Sequence, residues 1–180
     1  MPSVARFMAG SFHSMVLDVP DLRDFTVTTF RDTVVLVGGQ HPQGKCSDQV
    51  MRFDWKTKSW EQLPVLPLCL SGHGAVVYDG ELWIAGGIPD HAKRKLRPEV
   101  SSAVFSFDGS RWESRGHMNT ARFKPKLVVD PFRGFLTVLG GHDQLRKAVR
   151  CCEAYNRKTS WRAHEWVVLG GEMDDFCDMI

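Results

Sequence analysis

The segment TVVLVGG at residues 33–39 is followed by ELWIAGG at 81–87 and GFLTVLGG at 134–141. Each is a short apolar run that closes on two glycines, and a tryptophan follows each glycine pair further along the chain. A spacing of about 50 residues between similar segments is typical of stacked copies of one supersecondary unit, so the segments predict a repeat architecture. The markers of the repeat are, in chain order, Gly38, Gly39, Trp60, Gly86, Gly87, Trp112, Gly140, Gly141 and Trp161.

The residues around the glycine pairs predict four short strands in each copy, separated by turn residues. The predicted strands lie at 25–30, 33–39, 49–55 and 59–63 in the first copy, at 74–80, 81–87, 102–109 and 111–115 in the second, and at 126–130, 134–141, 149–156 and 160–164 in the third. Antiparallel four-strand units at this period predict an all-β propeller with three recognisable blades. We expect the glycines to save space where the inner strands converge on a central channel and to allow positive φ where the chain leaves the sheet. We expect the tryptophans to fill the wedge between blades.

The repeats divide the chain into three parts. Residues 1–24 form an N-terminal extension, or the remnant of a preceding segment, and residues 25–164 hold the three repeats, at about 25–68, 69–119 and 120–164. Residues 165–180 form an atypical tail that resembles a truncated fourth repeat, because VVLGG recurs there. Closed propellers have about four to eight blades, so we expect a partial ring that self-associates to cover its open blade edges.

Composition narrows the function classes. The 180 residues are 43% hydrophobic, a content typical of a globular protein. The formal net charge of +2 favours neither nucleic acid nor membrane as a partner. The cysteines have no spacing typical of a disulfide framework, so we expect thiols in an intracellular, cytoplasmic protein. They are Cys46, Cys69, Cys151, Cys152 and Cys177.

Further motifs accompany the glycine pairs. The first copy continues with FDWKTKSW at 53–60 and leads into HGAVVYDGELWIAGG at 73–87, the second continues with FDGSRW at 107–112, and the third with YNRKTSW at 155–161. Together these motifs resemble the kelch repeat, and they look closest to the kelch-like group, which carries BTB and BACK domains ahead of the propeller. The resemblance implies a protein-binding module that selects substrates for a cullin-based ubiquitin ligase. Residues 1–24 are too few for such a domain, so we expect a separate adaptor.

Loops on a rigid scaffold commonly carry binding, and here the loops between second and third strands are basic. These loops and the connections between blades emerge at one end of the predicted propeller. Arginine clusters suit carboxylates and phosphates, so we predict that this end binds an acidic or phosphorylated peptide motif, although solvated charges alone would explain part of the pattern. The candidate partner-binding residues are Arg94, Lys95, Arg97, Arg122, Lys124 and Arg146.

Catalysis is not indicated, and no cofactor is expected. His41 and His142 follow their glycine pairs at similar positions, but no third ligand occupies that position after Gly87, so we predict no metal site. A kelch-fold enzyme of the copper-radical oxidase kind needs tyrosine ligands, and the chain has only Tyr78 and Tyr155, both as repeat aromatics. An actin or cytoskeletal scaffold remains the alternative within the binding class.

Overall fold

The computed structural model describes residues 19–89 and 99–155 in full, together with the backbone of three further strands. The strands are β1 Ser3–Met8, β2 Ser11–Val16, β3 Thr26–Phe30, β4 Thr33–Val37, β5 Val50–Asp54, β6 Ser59–Gln62, β7 Gly74–Tyr78, β8 Glu81–Ala85, β9 Ala103–Phe107, β10 Trp112–His117, β11 Lys126–Val129, β12 Leu136–Leu139, β13 Cys152–Tyr155 and β14 Val167–Leu169. Strands β3 to β13 coincide closely with the predicted ones, and the described part of the chain contains no helix.

Strands β3 to β14 form three antiparallel sheets of four strands each, every sheet a simple meander in chain order, and β1 and β2 form a separate hairpin. The first strand of the middle sheet, β7, lies beside the first strands of both other sheets, β3 and β11. The sheets are therefore arranged about their first strands as blades about an axis, which confirms the predicted propeller architecture.

The last strand of the third sheet differs from the prediction. Val167–Leu169 pairs with Cys152 to Ala154, so β14 is the fourth strand of the third blade. The sequence instead indicated 160–164 as that strand and the VVLGG segment as part of a fourth repeat. Residues 160–164, including Trp161, and Gly170-Gly171 lie outside the described residues.

The glycine pairs have positive φ, as predicted, but the crowding around them comes from an unexpected direction. Gly38 has φ +58° and Gly86 has φ +74°, and a Cβ at either position would overlap a backbone carbonyl, that of Leu70 or of Arg122. Both carbonyls belong to the connection that leads into the next blade. Crowding therefore comes from the docking of the next blade and not from the central channel.

The same two carbonyls accept hydrogen bonds from the second glycine of each pair. Gly39 N–H donates to Leu70 O at 2.8 Å, and Gly87 N–H donates to Arg122 O at 2.7 Å. Each glycine pair thus forms a backbone socket for the connection that follows its blade.

Apolar clusters fill the two junctions between blades. Phe30, Leu82 and Phe107 belong to the cluster between the first and second blades, and Trp83 with Tyr155 belongs to the cluster between the second and third. These side chains are almost fully excluded from water. Burial of such aromatic and aliphatic area is the main force that joins the blades.

The two described repeat tryptophans have different roles. Trp112 stacks on Phe107 at 4.9 Å and its indole N–H donates to Pro64 O at 2.9 Å, which links the second blade to the connection that precedes it. Trp60 packs edge-on against Phe53 at 5.3 Å within its own blade. The expected wedge between blades is therefore seen at Trp112 only among the described tryptophans of the repeat.

Candidate functional site

The loops between second and third strands lie beside the connections between blades, as the strand order predicts. We call the loop rim the surface formed by residues 40–49, 88–89, 99–101 and 142–148 with the connections 63–73 and 118–125. Phe123 and His142 exchange two backbone hydrogen bonds, both 2.8 Å long. Ser71 pairs in the same way with Ile88, so each connection is fixed to the loop of the blade it leads into.

Backbone hydrogen bonds also link three equivalent residues, each two positions before the first strand of its blade: Asp24, Gly72 and Lys124. Gly72 N–H donates to Asp24 O at 2.7 Å, and Lys124 N–H donates to Gly72 O at 2.7 Å. Successive blades are thus joined at the inner edge of the loop rim. The rim is a fixed scaffold and not a set of independent loops.

Arg146 lies on a tight turn in the third loop of the rim. The carboxylate of Asp143 accepts the backbone N–H groups of Leu145 and Lys147, each at 2.8 Å. Arg146 itself has φ +61°, and its side chain is exposed. Because the turn is held by its own carboxylate, the guanidinium is presented from a defined backbone position.

Lys124 is also at the surface of the rim. Its ammonium lies 2.7 Å from the carboxylate of Asp24, and the Lys124 side chain is 54% exposed. It also lies 5.2 Å from the centre of the Phe123 ring. Surface ion pairs contribute about 1 kcal/mol or less, so this pair can be exchanged for a pair with a partner at little cost.

Arg122 does not lie at the surface, contrary to the sequence-based expectation. Its side chain is 0% exposed, and its guanidinium lies 2.8 Å from the carboxylate of Glu153, which is equally buried. A second guanidinium nitrogen, Nη1, donates to the carbonyls of Cys151 at 2.7 Å and Gly140 at 3.1 Å, and Nε has no hydrogen-bond partner among the described residues. Arg122 therefore locks the third blade to the connection before it, and no partner can reach it in this state.

Glu153 completes this buried network. Besides Arg122 it accepts the backbone N–H groups of Asn119 at 2.6 Å and Thr120 at 3.0 Å. Strand β13 supplies the glutamate and the connection supplies the donors, so sequence proximity gives no signal for the pair. Arg94, Lys95 and Arg97, which complete the predicted set, lie outside the described residues.

His73, at the start of the second blade, is buried between the first two blades. Its Nε2 lies 2.8 Å from the hydroxyl of Thr26, and its Nδ1 has no hydrogen-bond partner among the described residues. Burial lowers the pKa of His73 to about 4, an effect that the carbonyl of Leu70 offsets only in part. The imidazole is therefore neutral in the folded protein at neutral pH.

His73 predicts a pH-dependent stability. The folded protein keeps the imidazole neutral down to about pH 4, whereas the unfolded chain takes up a proton below about pH 6.5. The contribution of the neutral imidazole to the free energy of unfolding is therefore complete above about pH 6.5 and is lost as the pH falls from 6.5 towards 4. The loss between pH 7 and pH 5 is about 2 kcal/mol. Urea denaturation at both pH values measures it. His73→Gln, whose amide can still hydrogen-bond to the Thr26 hydroxyl, should flatten this dependence. An unchanged slope would assign the pH dependence to another group.

Among the described residues, no three histidine, cysteine, aspartate or glutamate side chains form a group that could hold a metal ion. No helix long and apolar enough to cross a membrane occurs in the same part of the chain. His142 is exposed on the third loop of the rim.

Comparison with known proteins matches residues 22–66, the first blade, to the family of the Kelch motif. The chain is 30% identical to kelch-like protein 40 of Mus musculus over 116 residues, which are 64% of this chain and 18% of that protein. The first blade therefore contains a Kelch motif, and the chain resembles kelch-repeat proteins. It is also 28% identical to beta-scruin of Limulus polyphemus over 123 residues, 67% of this chain and 12% of that protein.

The kelch fold extends over all three blades. The solved structure of YjhT superposes with a TM-score of 0.65 at 19% identity, covering 83% of this chain and 46% of that one. At this identity the likeness shows the fold alone. The chain spans 18% of the length of kelch-like protein 40 and 12% of that of beta-scruin.

Proposed function

We propose that this kelch chain is a protein-recognition module whose loop rim binds an acidic or phosphorylated segment of its partner. The observation that carries the proposal is the presentation of Arg146 on a turn fixed by Asp143, beside blade connections joined by backbone hydrogen bonds. A guanidinium held in this way can form two parallel hydrogen bonds with a carboxylate or a phosphate. Arg94, Lys95, Arg97 and Lys124 are the further proposed contacts.

Charge at the rim supports this choice of partner. Asp143, the acid nearest to Arg146 in the chain, uses its carboxylate to hold the turn, and Asp24 is occupied by Lys124. The loop 88–101 adds four basic residues and two acidic ones. An anionic segment of a partner would therefore meet Arg146, whose nearest acid along the chain is already engaged.

Replacing Arg94, Arg97 and Arg146 together with alanine should reduce partner capture at least about tenfold, because loss of one desolvated charge pair costs more than about 1.4 kcal/mol. Quantitative mass spectrometry of affinity-purified complexes measures the change. The matched control removes three exposed cations from the opposite end of the blades, Lys56, Lys58 and Arg133. Equal capture by wild type and the rim variant would move the interface elsewhere.

We further propose that the module selects substrates for a cullin-based ubiquitin ligase in the cytoplasm, through a separate adaptor. The similarity to kelch-like protein 40 supports this assignment. Co-purification with a cullin, retained in the rim variant while the captured substrate is lost, is the expected pattern. Co-sedimentation with actin filaments in place of a cullin would favour the cytoskeletal alternative, and turnover of a small molecule would favour a kelch-fold enzyme.

The third blade supports a proposal of self-association. The Gly39 and Gly87 N–H groups donate to the connection of the next blade, whereas no described residue offers a carbonyl to Gly141 N–H or lies within 4 Å of a Cβ at Gly140. This socket suits a connection supplied by a second copy. We expect a concentration-dependent dimer in light scattering, and a monodisperse monomer at all concentrations would contradict the proposal.

A further inference from the structure

Two thiols converge on one short stretch of backbone at the junction of the first and second blades. The Cys46 thiol lies 3.7 Å from the carbonyl oxygen of Ile88 and donates to it. The Cys69 thiol donates to the carbonyl of Pro89, the next residue. The two sulfur atoms therefore reach adjacent carbonyls from different segments of the chain.

The backbones that carry these thiols are also close. Leu70 N–H donates to Ser47 O at 3.2 Å, and these residues directly follow Cys69 and Cys46. A disulfide requires Cα atoms about 4.4–6.8 Å apart with side chains aimed at one point. The hydrogen bond joins the two segments, and both thiols are aimed at adjacent carbonyls, which is the geometric basis for pairing them.

The two thiols differ in access to solvent. Cys46 is buried at 6% exposure, whereas Cys69 is partly exposed. An oxidant in solution therefore meets Cys69 first, and Cys46 lies beneath it. An accessible thiol beside a resolving thiol is the arrangement that gives reversible oxidation.

We propose that Cys46 and Cys69 form a redox pair that hydrogen peroxide closes to a disulfide. The deprotonated sulfur of Cys69 attacks one peroxide oxygen, and the O–O bond breaks. The departing hydroxide takes up the proton that the thiol lost, so one water is released and Cys69 becomes a sulfenic acid. The sulfur of Cys46 then attacks the sulfur of that sulfenic acid, and a second water leaves as the S–S bond forms. Two thiols and one peroxide thus give one disulfide and two waters.

Closure changes the start of the loop 88–101. As thiols, both cysteines donate to the carbonyls of Ile88 and Pro89, the first two residues of that loop. A disulfide has no S–H to donate, so both carbonyls lose these bonds. Ile88 still exchanges backbone hydrogen bonds with Ser71, and Pro89 has no other bond among the described residues. The disulfide therefore frees the Pro89 carbonyl, where the chain enters the loop, whether or not the rim binds a partner.

The test treats the whole chain with hydrogen peroxide and maps its peptides without reduction. We expect the peptides that contain Cys46 and Cys69 to be joined within one chain, the mass to fall by two hydrogen atoms, and dithiothreitol to reverse both. Hydrogen exchange in the peptide that follows Pro89 should become at least tenfold faster on oxidation. Cys46→Ser and Cys69→Ser should each abolish the link, and Cys151→Ser should retain it.

Three results would overturn the proposal: Cys69 oxidised to sulfinic acid with Cys46 still a thiol, a link from either cysteine to Cys151, Cys152 or Cys177, or a link between two chains on a non-reducing gel. A disulfide without faster exchange after Pro89 would overturn the release of the loop. The wild-type peptide map needs no variant, so it decides the pairing even if the buried Cys46→Ser substitution prevents folding.

Discussion

Replacing Arg122 with methionine is expected to lower the free energy of unfolding by about 3–5 kcal/mol. The guanidinium and the Glu153 carboxylate are both fully buried, 2.8 Å apart. Without the guanidinium, the carboxylate becomes an uncompensated charge in an apolar junction, and the carbonyls of Gly140 and Cys151 lose their donor. Urea denaturation of both proteins measures the difference.

A matched control separates burial from ion pairing as such. Arg52 and Glu61 lie on the surface of the first blade at the same distance, 2.8 Å, with both side chains about half exposed. Arg52→Met should change stability by about 1 kcal/mol or less. Adding Glu153→Gln to Arg122→Met should recover part of the loss, because the buried charge is removed and the amide oxygen still accepts one of the two N–H groups of Asn119 and Thr120. An equal loss of unfolding free energy in Arg52→Met and Arg122→Met would contradict a stabilising role for the buried Arg122–Glu153 ion pair.

Replacing Gly86 with alanine is expected to cost about 2–4 kcal/mol, from the positive φ and from overpacking together. Gly86 has φ +74°, and an added Cβ would overlap the carbonyl of Arg122, which is backbone and cannot rotate away. Either the second and third blades separate slightly or the Gly87 hydrogen bond to that carbonyl stretches. Thermal or urea denaturation measures the cost.

Gly140→Ala is the control for this substitution. Gly140 has a similar φ of +59°, but no described atom lies within 4 Å of the added Cβ. It should therefore cost only the conformational part, about 1 kcal/mol. The difference between the two variants measures the crowding by the docked blade. Similar losses of stability in the two variants would mean that the glycines are needed only for their positive φ and not to make room for the next blade.

The sequence predicts the strands well because the blades obey local rules. An apolar run that closes on two glycines indicates a second strand, and Asp79-Gly80 indicates the turn before it. The position of the last strand depends on a different kind of information. Val167–Leu169 is selected by pairing with Cys152 to Ala154 across an intervening segment, whereas the tryptophan spacing favoured an earlier segment. Pairing across a loop leaves little local signal.

The candidate site is less predictable for a related reason. Sequence order indicates that Arg122 lies in a connection at the rim, but it does not say which way the side chain points. A buried guanidinium needs a buried acid, and Glu153 is a residue of β13 in the interior of a sheet. The approach of Cys46 and Cys69 to the adjacent carbonyls of Ile88 and Pro89 is likewise visible only once the blades are docked. Direction and depth of side chains come from tertiary packing.

The most direct test of the loop rim as the recognition surface is site-specific photo-cross-linking. A photoreactive phenylalanine analogue is placed at Arg146 on the rim and, in a second protein, at Lys58 on the turn at the opposite end, both exposed positions with positive φ. The partner should be cross-linked from position 146 and not from position 58. Cross-linking from position 58 alone would contradict it.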